Sequence, residues 1–155
     1  MIPRTIESHL QQHHGGSEPR FHFRAVTAQR LAAAEHVSGR RVAKPVVVRL
    51  DGKLALCVIS AAERLDLSAL EQATGAPARL ASEDEFSDLF QPCEAGAEPP
   101  LGLFGLPIYV DAELARQSKL LMRAGTHEDA VEVDTAEWMR CEGARPVERL
   151  GMKLH

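Results

Sequence analysis

Three cysteines (Cys57, Cys93 and Cys141), seven histidines, and a glycine- and proline-rich stretch over residues 91–107 are the parts of this 155-residue chain whose types could do chemistry. The thiols are odd in number, widely spaced and without a C-x-x-C, so neither a disulfide framework nor a zinc site is read from them. Cys57, inside Leu-Ala-Leu-Cys-Val-Ile, has the setting of a small core hydrophobe. Cys93 as a nucleophile needs a base, and the sequence names none. His9 and His13 are four apart on a predicted helix, a spacing that can turn two imidazoles to one face. No acidic or third ligand accompanies them, so no metal is expected. His13-His14-Gly15-Gly16-Ser17 reads instead as a helix end running into a flexible turn. The chain holds no G-x-G-x-x-G, no P-loop and no serine elbow, and Gly102-Leu103-Phe104-Gly105 is too short for a phosphate cradle.

The elements that must position these groups are short and mixed. Residues 4–13 predict a helix, and Arg20 to Val26 alternates as a strand. Thr27 caps an alanine-rich helix to about His36, with Gly39 ending it. Val42–Leu50 and Lys53–Ser60 are apolar, β-rich runs joined by Asp51-Gly52, the strongest short-range hairpin signal. Asp66 caps a helix to Thr74 before Gly75, and Ser82-Glu83-Asp84-Glu85 is a capping box for a helix to Phe90. Residues 91–107 read as a functional loop. Ile108–Val110 predicts a strand, Asp111 a capped turn, Leu120–Ala124 and Ala130–Val133 a strand pair, and Thr135 the cap of a last helix through Cys141. Without βαβ regularity, this order favours an α+β fold with a mixed sheet or small barrel.

Composition narrows the class. Hydrophobic residues at 45% and charged residues at 26% fit one globular domain, not a disordered or fibrous chain. One Trp and one Tyr leave a core of Leu, Val and Ala and speak against an aromatic base-stacking platform. The longest apolar stretch, Leu54 to Ile59, is far short of the ~20 residues of a membrane span. Met1-Ile2-Pro3-Arg4-Thr5 has no signal-peptide core, so a cytoplasmic protein is expected. Net charge is −4, unevenly spread. Residues 20–53 hold eight basic and two acidic side chains, and residues 63–98 hold nine acidic and two basic ones. Either the first segment receives an anionic ligand, or the two lie together and neutralise.

Several motifs share an order with a known family. Val42-Ala43-Lys44-Pro45-Val46-Val47-Val48 with the Asp51-Gly52 turn, then Leu65-Asp66-Leu67, Leu80-Ala81-Ser82-Glu83 and Cys93-Glu94-Ala95-Gly96-Ala97-Glu98-Pro99-Pro100 come first. Gly105-Leu106-Pro107-Ile108-Tyr109-Val110-Asp111 and Ala124-Gly125-Thr126-His127 follow. Together they resemble the YbaK and prolyl-tRNA synthetase editing-domain family over roughly residues 20–142. The resemblance implies a compact α+β domain, with a mixed, largely antiparallel, barrel-like sheet and surrounding helices. Residues 1–155 then form one domain: an N-terminal helix and flexible turn (1–19), a core (20–142) and a C-terminal tail (143–155).

It also implies an activity, the free-standing hydrolysis of mischarged aminoacyl-tRNA, with a small amino acid on prolyl tRNA as the expected substrate and no cofactor. Such editing answers a physical limit, since a pocket that accepts a larger side chain rejects a smaller one by only ~10–200-fold. The partners implied are the aminoacyl-tRNA acceptor end and an aminoacyl-tRNA synthetase, for a monomer or homodimer without membrane contact. The family's strand lysine falls on Lys44 and its G-x-x-x-P loop on Gly96 to Pro100, with Ala97, Glu98, Pro99 and Gly102 lining the pocket. Backbone N–H groups of such a loop can hold a developing oxyanion, worth about 3 kcal/mol per donor, and Lys44 can meet a phosphate or the carbonyl. His127 is a second polar group, carried with Gly125 and Thr126, or else a turn histidine. His22, in the first strand, has a substrate-side or a structural role. Two positions depart from the pattern. Pro45 stands where Thr is common and requires an edge or bulged strand there, and Leu101 replaces the usual Phe. Two other functions fit the same fold: a noncatalytic tRNA- or nucleotide-binding module, and a hydrolase of a small acylated metabolite.

Overall fold

The computed structural model describes residues 1–22 and 24–154. Along the chain run α1 (Arg4–His13), β1 (Glu18–Phe21), α2 (Ala28–Ala34), β2 (Ala43–Leu50), β3 (Lys53–Ser60), β4 (Glu63–Leu65), α3 (Leu67–Thr74) and β5 (Ala78–Leu80). There follow α4 (Glu83–Phe86), β6 (Ile108–Asp111), β7 (Lys119–Arg123), β8 (Asp129–Asp134), α5 (Thr135–Glu142), β9 (Arg145–Val147) and β10 (Gly151–Lys153).

The β2–β3 hairpin is the base of the structure. Asp51 (φ 52°) and Gly52 (φ 79°) both take left-handed conformations, as a two-residue turn matched to strand twist requires. The strands pair from Ala43 opposite Ser60 to Leu50 opposite Lys53. β5 adds antiparallel to β2, while β6 and then β9 add parallel beyond β3, giving a five-stranded sheet. A second, antiparallel sheet orders β1-β8-β7, and β4 pairs with β10. The two larger sheets meet through a parallel bridge between Val42 and Leu121. The domain is thus α+β with mixed, mainly antiparallel sheets, barrel-like without closing among the described residues.

Period-two alternation divides the core. Ala43 and Val47 of β2, Leu56 and Val58 of β3, and Ile108 and Val110 of β6 face one cluster, shared with Ile6 and Leu10 of α1, Phe90, Leu101 and Trp138. Val48, Ala55, Cys57 and Ile59 face a second cluster with Leu70 and Leu150. Cys57 is fully buried there, and burial pushes its thiol up to about 12.

Pro45 fits its strand for a physical reason. Ala61 N–H donates to Val42 O, so Val42 and every second residue after it exchange bonds with β3. Pro45 is out of that phase, and its missing N–H faces away from β3. On that side β5 covers only Val48–Leu50. The proline therefore sits where β2 is a free edge, as its sequence required.

Some boundaries differ from the sequence reading. α2 stops at Ala34, and Gly39 opens a 3-10 turn (Gly39–Arg41) rather than ending that helix. The strand expected over 20–26 is β1, which ends at Phe21; Phe23 lies outside the described residues. The capping-box helix gives way after Phe86 to a 3-10 turn (Ser87–Phe90). α5 is capped by Asp134, which accepts from Glu137 N–H at 3.0 Å, while Thr135 is already helical.

Replacing Gly52 with Ala is expected to lower stability by about 1–2 kcal/mol, the cost of a β-carbon in the left-handed region. In urea unfolding the midpoint should fall at unchanged slope; an unchanged midpoint would contradict the turn geometry.

Candidate active site

Two loops of different origin are laced together at one end of the molecule. In one, the backbone of the glycine-proline stretch folds on itself, Ala97 N–H donating to Glu94 O at 3.0 Å. The other follows β7. Glu94 N–H donates to Gly125 O (2.9 Å), and Gly125 N–H donates to Ala97 O (3.0 Å). Thr126 holds the second loop's turn, its hydroxyl donating to Asp129 Oδ2 (2.7 Å) and accepting from Glu128 N–H (3.2 Å) and Asp129 N–H (3.0 Å).

His127 joins the two. Its Nε2–H donates to Ala95 O at 2.8 Å, which lays the buried ring under Gly96. A β-carbon on Gly96 would lie 3.4 Å from Cε1 of that ring, and Gly96 has φ 83°. The left-handed backbone favours glycine there, while the ring is only in van der Waals contact with the space a β-carbon would take. The carbonyl of His127 accepts from Ala25 N–H (2.9 Å), His22 Nε2 (3.1 Å) and Arg123 Nη1 (3.4 Å). On its other side His22 Nδ1 lies 2.7 Å from Glu35 Oε2, a close contact without hydrogen-bond geometry. Arg123 is buried and also donates to Thr27 O at 2.9 Å; burial pulls its guanidinium down to about 10, against the pull of Glu94.

Gly96 itself is exposed, and its N–H donates to Glu98 Oε2 at 3.3 Å. The chain's own carboxylate thus occupies the place of an anionic oxygen at this amide. Burial raises the Glu98 carboxyl above the usual range, outweighing the backbone hydrogen bonds it accepts. Pro99 and Pro100 are buried, and Pro100 O accepts from Trp138 Nε1–H at 2.8 Å. Gly102 N–H donates to Glu142 Oε1 at 2.7 Å. The loop is therefore held at both ends, with Gly96 presented between. Cys93 is half-buried behind it, and burial, with Glu98 nearby, pushes its thiol up to about 11. That is the wrong direction for a nucleophile.

Gly96, Ala97, Glu98, Pro99, Pro100, Gly125, Thr126, His127 and His22 are thus brought together, while Gly102, two residues on, is held separately by Glu142. Lys44 is set differently. It alternates onto the face of Val46 and Val48, and its Nζ donates to Glu63 O at 2.5 Å. Burial lowers its pKa, partly countered by Glu63. Among the described residues it makes no hydrogen bond to the glycine loop. A cavity of about 240 Å³ opens on the Glu63 side, lined also by Arg40, Ser60, Asp111 and Lys153.

Four of the eight basic side chains of residues 20–53 are paired with carboxylates among the described residues. Arg24 meets Glu94 (3.0 Å), Arg41 meets Glu132 (3.0 Å), Arg49 meets Glu85 (3.0 Å), and Arg20 meets Glu18 (3.2 Å) and Glu132 (3.6 Å). Pairing between the two segments accounts for Arg24 and Arg49, while Arg20 and Arg41 are neutralised by Glu18 and Glu132, outside the acidic segment. Arg30, Arg40 and Lys53 have no carboxylate within 4.0 Å among the described residues. Residues that sequence reasoning did not single out are Glu35 at the end of α2, Arg123 at the end of β7, and Trp138 and Glu142 on α5, and no local motif marks them.

Comparison with known proteins agrees with the fold. The family model of the aminoacyl-tRNA editing domain matches residues 22–141, and the chain belongs to that family. A search of curated proteins finds no match. Among solved structures, a candidate trans-editing enzyme for prolyl-tRNA synthetase superposes with TM-score 0.83 at 21% identity, covering 100% of both chains. A hypothetical protein superposes with TM-score 0.85 at 22% identity, over 96% of this chain and 100% of its own. A candidate signal transduction protein from Marinobacter aquaeolei VT8 gives 0.75 at 16% identity, over 99% of this chain and 31% of its own. At such identities the likeness is one of fold. Among the described residues no helix is long and apolar enough to cross a membrane.

His127→Ala is expected to free the Ala95 carbonyl and loosen the lacing. One such bond is worth about 1–1.5 kcal/mol, so amide exchange at Ala97 and Gly125 should speed up roughly tenfold. Unchanged protection at both amides would show that the ring does not hold the loop.

Proposed function

We propose that this chain is an aminoacyl-tRNA deacylase that acts in trans, cleaving the ester of a mischarged tRNA, with a small amino acid on prolyl tRNA as the preferred substrate. Membership in the editing family supports the reaction class. The observation that carries the reading is the Gly96 amide, in a left-handed, side-chain-free position, already holding a carboxylate oxygen of Glu98 at 3.3 Å. The oxygen that becomes negative when water attacks an ester carbonyl has the same demand.

In the proposed reaction the substrate carbonyl oxygen displaces Glu98 from the Gly96 amide. Water attacks the carbonyl carbon, the bond to the ribose oxygen breaks, and the proton released by water ends on that oxygen, leaving a free amino acid and an uncharged acceptor end. His127 is a positioning residue, since its ring is buried and spends its N–H on Ala95 O. Lys44 leaves the Glu63 carbonyl, on the β2 face away from the glycine loop, to meet an acceptor-end phosphate, so that its charged donor gains an ionised acceptor. Its rigid neighbour Pro45, on an open edge, leaves that side of β2 uncrowded. An aminoacyl-tRNA synthetase delivering the substrate is consistent with trans action.

Purified protein should hydrolyse selected members of a panel of mischarged tRNAs. Lys44→Ala is expected to lower kcat/KM by about 100-fold or more, and Cys93→Ser to leave it within about twofold. Cleavage no faster than in buffer for every tRNA would remove the deacylase reading. Tight binding without turnover would indicate a binding module, and turnover of simple amino-acid esters alone would indicate a metabolite hydrolase.

A further inference from the structure

α1 and α5 meet at a side-chain cluster that the laced loops do not contain. His9 lies on α1, His14 immediately after it, and Glu142 at the end of α5. His9 Nε2 is 2.8 Å and His14 Nε2 is 2.5 Å from the same oxygen, Glu142 Oε2. The three side chains are 15%, 2% and 1% exposed. The other carboxylate oxygen, Oε1, is taken by the Gly102 amide, which fixes the carboxylate's orientation. All three ligand atoms lie within 4.8 Å of one another.

The sequence offered His9 and His13 as the pair and lacked a third ligand. Chain folding changes the set: His13 is exposed, while His14 turns inward after the helix end and the carboxylate arrives from the far end of the sequence. We propose that His9, His14 and Glu142 bind one divalent transition-metal ion of the zinc class. Two imidazole nitrogens and a carboxylate oxygen are the donor set that such ions take, at about 2.0–2.2 Å each; imidazoles disfavour magnesium or calcium. Ligand atoms around a tetrahedral ion stand about 3.4 Å apart at those bond lengths, so the cluster admits the ion by opening less than ~1 Å on each hydrogen bond. The fourth position falls to water at the partly exposed His9 edge.

The second nitrogen of His14 supports the assignment. Nδ1 is buried and unpartnered among the described residues, and ligand-capable atoms of Glu137 and Cys141 lie within 4.8 Å of a His14 ring nitrogen. When Nε2 gives up its hydrogen bond to take the ion, the ring's one proton moves to Nδ1, and the Glu137 carboxylate is the acceptor at hand. Cys141 is exposed, its Sγ 3.5 Å from His13 O, and is not required. A bound ion would fasten α1 to α5 and, through Glu142 Oε1, brace the backbone that follows Pro100. No step of the deacylation passes through it.

The test uses the full chain, stripped with chelator, dialysed and titrated with Co²⁺ and then Zn²⁺. One equivalent of Co²⁺ should bind with visible d–d bands that Zn²⁺ abolishes. His9→Ala, at the exposed edge where folding is least disturbed, should weaken Zn²⁺ binding at least 10–100-fold, and Cys141→Ser should leave it unchanged. Absence of saturable one-equivalent binding, wild-type affinity in His9→Ala, or loss of binding in Cys141→Ser would each overturn the site. The readout is metal binding alone, so either result leaves the deacylase reading to its own assay.

Discussion

The three hydrogen bonds received by one carbonyl, that of His127, are the constraint on which the rest of the site depends. Ala25, His22 and Arg123 converge on it from the segment after β1 and from β7. With the backbone fixed there, the ring's own hydrogen bond to Ala95 O lays it against the Gly96 backbone. A buried carbonyl without these donors would cost about 1–3 kcal/mol. A buried arginine whose hydrogen bonds go to carbonyls is an expensive way to supply one, which indicates that the position of this loop matters more than the stability of the strand beneath it.

The far end of the glycine loop is fixed by other means. Trp138 Nε1 and Glu142 Oε1 take the Pro100 carbonyl and the Gly102 amide, and both come from α5, which is capped by Asp134 and rests in the main core through Trp138. The consequence is a backbone segment rigid at both ends and open at Gly96. Preorganisation of this kind lets an amide stabilise charge without reorienting at the moment of reaction. Glu98, two residues further on, lies against that amide at 3.3 Å, and burial holds its carboxyl above the usual range.

Charge is distributed for pairing more than for broad attraction. Arg20, Arg24, Arg41 and Arg49 each have a carboxylate within 4.0 Å, so the long-range field of the basic segment is much reduced. An anionic ligand would therefore meet a few unpaired cations, such as Arg30 and Arg40, rather than a broad positive face.

By itself, the sequence determined the elements whose causes are local. The Asp51-Gly52 turn, the Asp66 cap with Gly75, the capping box at Ser82 and the strand pair around residues 120–133 each depend on neighbours a few positions apart, and each forms nearly as read. The order of motifs from Lys44 to His127 likewise placed the chain in its family. Tertiary structure alone decided what lies against what. The three-residue strands β4, β5, β9 and β10 are too short to show a period and exist because distant partners pair with them. Lys44 meets Glu63 because strand alternation and the approach of β4 put them together. His14 meets Glu142, and Arg123 meets His127, through packing across a long sequence separation or around a turn. Local patterns report torsional preference and alternation; they carry no record of which buried polar group will find which partner, and that pairing is what makes the site.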